Sequence, residues 1–63
     1  MTGKEFILSM YCSACTFDEP APMTPEEAAY NLAEWKAEGI EIPATVTPLL
    51  LSRLWNIYCE KEA

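Results

Sequence analysis

Sixty-three residues, 51% of them hydrophobic, suffice for one small domain with little stability to spare, since a chain this short buries only about 60% of the surface it exposes when unfolded. Ten acids against four cations leave a net charge of −6, and seven of the acids lie between Asp18 and Glu41 with Lys36 as their sole counter-charge. Four scattered cations (Lys4, Lys36, Arg53 and Lys61) cannot build a surface that tracks phosphates, so direct binding to nucleic acid is excluded.

The N-terminal segment opens on Thr2, with Glu5 three residues later, the spacing of a capping box. Phe6, Ile7, Met10, Tyr11 and Ala14 then recur on one helical face, opposite Glu5, Ser9, Ser13 and Thr16, which predicts a helix over about 4–15. The same residues also alternate, Phe6, Leu8, Met10, Cys12 and Ala14 falling on one side of an extended chain, so a strand is the alternative. The apolar run from Phe6 to Tyr11 is too short for a signal segment or a membrane span, and Glu5 stands where a signal would carry basic charge. A cytoplasmic protein without a membrane partner is the expectation.

Asp18-Glu19-Pro20-Ala21-Pro22 reads as a stiff extended linker, because each proline disfavours helix in the residue before it. The second helix has the clearest start: Thr24 as cap, Pro25 at the first helical position and Glu27 three residues after the cap. Gly39 marks its end, with Ile40 placed to touch Trp35, which gives a helix over about 25–38. Extended chain around Pro43 leads to Thr47 and Pro48, where the opening repeats, Val46 now poised to staple against Leu51. The third helix, about 48–60, carries an apolar arc of roughly 200°, leaving Ser52, Arg53, Asn56 and Glu60 as a narrow polar strip. Such an arc exceeds what one neighbour covers. It predicts either a central helix flanked by both others or an interface centred on Leu51, Trp55 and Tyr58. The fold class is therefore all-α, a compact three-helix domain with extended linkers.

Chemistry finds few residues to work with. Histidine, the commonest acid-base group near neutral pH, is missing, and two glycines cannot form a phosphate cradle, so catalysis is not expected and no cofactor is implied. Cys12-Ser13-Ala14-Cys15 is half of a thiolate metal site or a redox pair, with Cys59 as the only further thiol. A four-ligand site would need a carboxylate or a second molecule, and burial of the thiols in the core is the simpler expectation. On the second helix Glu27, Asn31, Glu34 and Glu38 fall within about 60° of one another and form an acidic ridge. The ridge is either a solvated face or a dock for a basic partner.

Three functional expectations follow: a non-enzymatic interaction module, either adaptor or inhibitor, whose larger partner could itself bind nucleic acid; a CxxC metal or thiol module; or a small subunit of an obligate assembly. The surplus of apolar side chains over what three short helices shield also predicts a homo-oligomer, most simply a twofold dimer.

Overall fold

The computed structural model describes residues 2–18 and 20–62, in which lie three helices, α1 (Gly3–Phe17), α2 (Pro25–Ala37) and α3 (Pro48–Glu62). The N-terminal segment is helix, not strand. Its capping box is complete: the Glu5 backbone N–H donates to Thr2 Oγ1 at 3.1 Å and the Thr2 N–H donates to Glu5 Oε1 at 3.3 Å. Hydrogen bonding to the Thr2 side chain, and then to the Thr2 backbone N–H, holds the Glu5 carboxyl below its ordinary value. A helix satisfies its backbone locally, whereas a strand over the same residues would have required a neighbour. Gly3, the first helical residue, lies so close to the start of α3 that an added Cβ would stand 2.7 Å from Thr45 Oγ1 and 3.3 Å from Val46 Cγ2.

α2 repeats the reciprocal cap with Thr24 and Glu27, at 3.1 and 3.2 Å. It ends in a Schellman turn: the Ile40 N–H donates to Trp35 O, the Gly39 N–H donates to Lys36 O, and Gly39 adopts φ +89°, a conformation closed to most side chains. α3 opens as expected, the Leu50 N–H donating to Thr47 Oγ1 at 3.1 Å while Val46 and Leu51 both enter the core.

α3 is the central helix. It packs on α1 and on α2, and those two do not approach each other backbone to backbone. Phe6 meets Trp35 edge to face at a centroid distance of 6.0 Å, which ties the start of α1 to the end of α2. Tyr11 meets Trp55 at 5.1 Å and Tyr58 at 5.4 Å, and Gly3 lies against Leu50, so α1 and α3 run parallel with α2 antiparallel to both. Ile7 and Leu51 are fully buried, a gain of about 1.5 to 3 kcal/mol each over leaving them in water. Leu51 and Trp55 thus belong to the interior rather than to an outward interface, because neighbours on both sides of α3 consume its broad arc; Tyr58 is half-buried beside them.

The linker is stiff and extended, and it is also held. Glu19 lies outside the described residues, but Pro20 to Met23 run along one face of α3 and are read by its side chains. Trp55 Nε1 donates to Ala21 O at 3.0 Å, and Ser52 Oγ donates to Met23 O at 2.6 Å. The Asn56 amide takes both backbone groups of Met23, accepting from its N–H at 2.8 Å and donating to its O at 3.1 Å, and the Cys59 thiol lies 3.6 Å from Pro20 O. Ser52, Trp55, Asn56 and Cys59 are spaced i, i+3, i+4 and i+7, one helical face. Ser52 and Asn56 therefore are not part of a solvent strip: they pair the backbone polar groups of the extended linker with α3. None of the described helices is long and apolar enough to cross a membrane.

Two substitutions test these anchors. Thr24→Ala should lower stability to denaturant by about 1 kcal/mol through loss of the cap. Asn56→Ala, which strands the Met23 N–H in a half-buried position, should lower it by roughly 2 kcal/mol.

Candidate functional site

The acidic ridge of α2 divides into two parts. At its N-terminal end Glu27 is committed to the helix cap, its carboxylate accepting from the Thr24 N–H, and half-buried Asn31 turns inward, with its Nδ2 lying 3.8 Å from Met23 Sδ. Glu34 and Glu38 are exposed as Glu27 is, but neither serves the N-terminal cap. The core-facing side of α2 carries buried Ala28 with half-buried Leu32 and Trp35, so helical periodicity turns Tyr30, Ala33 and Ala37 outward. Tyr30 is 65% exposed, and its hydroxyl donates to the Glu34 carboxylate. That bond and the nearby negative charge push the phenol above its ordinary pKa, since both favour the neutral form.

Tyr30, Ala33, Glu34, Ala37 and Glu38 line a shallow depression of about 350 Å³. It joins an aromatic ring, a floor of alanine methyls and two carboxylates on one exposed helical face. The sequence pattern found the two carboxylates. It missed Tyr30, although the signal was present: a large aromatic ring on the side of the helix opposite Leu32 and Trp35 has no core to enter.

The cysteines also separate. Cys12 and Cys15 are exposed on α1, contrary to the expectation of core thiols, because Phe6, Ile7, Met10, Tyr11 and Ala14 already fill the face of α1 turned to the core. Cys59 is half-buried on α3 and directed at Pro20 O. Among the described residues no three His, Cys, Asp or Glu side chains gather within reach of one metal ion, so the three thiols do not form a common site within one chain.

A second recess, about 490 Å³, lies where α2 meets the extended chain before α3, lined by Leu32, Lys36, Ile40, Ile42, Pro43 and Val46 among others. Its walls are mainly aliphatic, with Lys36 and Glu41 as the charged residues among them. These features define an all-α three-helix domain with one acidic helix face and one thiol-bearing helix face. Comparison with protein-family models, with curated proteins and with solved structures found no match for the chain.

The Tyr30 contact is testable by ultraviolet titration of the phenolate. The wild-type curve minus that of Tyr30→Phe isolates Tyr30, whose midpoint should lie above the ordinary 10.0 and return toward it in Glu34→Gln. Because the folded-state pKa is raised, whatever stability the contact contributes is fully present below the ordinary value and is lost as pH rises through the folded one.

Proposed function

We propose that this chain is a non-enzymatic protein-interaction module, a small acidic adaptor or inhibitor that docks on a larger, basic partner through the outer face of α2. The observation that carries this reading is the exposure of Tyr30 beside Glu34 and Glu38 on a rigid, doubly capped helix. Tyrosine supplies large contact area at small cost in side-chain entropy and is enriched among residues that dominate interfaces. The flanking carboxylates select a partner rich in Lys and Arg, speed encounter, and fix orientation.

A partner that otherwise binds nucleic acid presents such a surface, and an acidic helix then competes with phosphate for the same cations. Glu34 and Glu38, four residues apart, repel by a few tenths of a kcal/mol in the isolated helix, and a basic partner relieves that repulsion. The absence of histidine from the sequence and the exposure of these carboxylates both weigh against a catalytic role.

The test is charge reversal. Once a partner has been captured and purified, Glu34→Lys combined with Glu38→Lys should weaken binding at least tenfold at low salt and flatten its dependence on ionic strength, with helicity unchanged. Equal affinity of the reversed and wild-type proteins would leave α2 as a solvated face only.

A further inference from the structure

We propose that Cys12 and Cys15 form half of a tetrahedral thiolate site for zinc, completed by the same two residues of a second copy of the chain paired through the outer face of α1. The surface involved is separate from the outer face of α2, and the proposal stands apart from the reading given above.

The first argument is geometric. Cys12 and Cys15 lie three residues apart within a continuous helix, so they share a face, with Cβ atoms about 5 to 6 Å apart. A disulfide between them would need Cβ atoms about 3.8 Å apart, which the helix denies without distortion. Two sulfurs at that spacing can instead converge on one ion at about 2.3 Å each. Both thiols are exposed, whereas an unreactive free cysteine ordinarily behaves as a small buried hydrophobe, as Cys59 in part does.

The second argument is the ligand count. Zinc in a structural site takes four nitrogen or sulfur donors. The chain has no histidine, and among the described residues no carboxylate or further thiol joins the pair as a third ligand. One chain therefore supplies two ligands, and two chains related by a twofold axis through the ion supply four. The balance is one zinc ion and four thiols giving a tetrathiolate complex of charge −2 and four released protons.

The third argument identifies the occupant. From Phe6 to Phe17 the chain has no charged residue, in a protein of net charge −6. Two copies repel wherever their acidic surfaces meet, and the outer face of α1 from Leu8 to Phe17, beyond Glu5 at its N-terminal end, is where they can meet without like charges facing each other. Its exposed positions suit helix-on-helix approach: Ser9 and Ser13 are small, and Leu8, 46% exposed one turn before Cys12, gains apolar cover. A twofold contact brings the same patch against itself, as a site built from identical halves requires.

The experiment titrates zinc into the reduced, metal-stripped protein and follows mass by native mass spectrometry and sedimentation. One zinc per two chains with a doubled mass is expected, reversed by a chelator. Cobalt added in place of zinc should give the intense visible bands of a tetrahedral thiolate complex. Cys12→Ser and Cys15→Ser should each lose the metal-dependent dimer while keeping wild-type helicity, and Cys59→Ser should keep it. Glu34→Lys with Glu38→Lys should also keep it, which separates this site from the α2 surface. One zinc per monomer, no zinc retained at micromolar concentration, or a dimer that persists in Cys12→Ser would each overturn the proposal.

Discussion

The amide of Asn56 holds Met23 by both of its backbone groups, and the placement of α2 depends on that pair. Thr24, the cap of α2, directly follows Met23, so the register of α2 against α3 is set where Asn56 and Ser52 grip the end of the linker. With the linker fixed, Trp35 reaches Phe6 and the core closes around Ile7 and Leu51. Apolar burial drives the collapse but is non-directional, whereas a bidentate amide accepts one position of the linker. Among the described residues no buried side-chain nitrogen or oxygen lacks a hydrogen bond, so this polar seam adds specificity without an unpaired group in the interior.

The surface is organised by charge. Acidic side chains crowd α2 and the segments flanking it, while α1 beyond Glu5 carries none. Because α3 stands in the centre and packs on both other helices, it separates these two faces. A small domain can in this way present chemically unlike surfaces on different helices.

Most of the fold was legible because helix ends are local events. Thr2 with Glu5, Thr24 with Glu27, and Thr47 before Pro48 each reach only three residues along the chain, so sequence spacing alone determines the bonds they make. Gly39 was legible for the same reason. The seam between linker and α3 was not, since Met23 and Asn56 lie 33 residues apart and nothing in either residue names the other. Ser52 and Asn56 read as solvent-facing because polar residues on an amphipathic helix ordinarily are. The retrospective signal is the linker itself: a proline-rich segment short of N–H groups, with polar residues four apart on a helix that is otherwise broadly apolar. The site was legible only as far as Glu34 and Glu38. Exposure of Cys12 and Cys15 depended on how completely five other α1 side chains filled the interior face, which is a matter of packing rather than of pattern.

The central position of α3 also orders events during synthesis. Helix α3 is made after α1 and α2, and until it emerges those two share little beyond the meeting of Phe6 and Trp35. Isolated helices of this length are marginal in water, so a nascent chain ending before Thr47 has caps and turns but no lasting core. The linker carbonyls at Pro20, Ala21 and Met23 meanwhile wait for donors that have not yet been translated. Cooperative closure of this domain therefore requires α3, the helix on which both earlier ones pack, and a chain lacking it has no surface to bring α1 and α2 into one core.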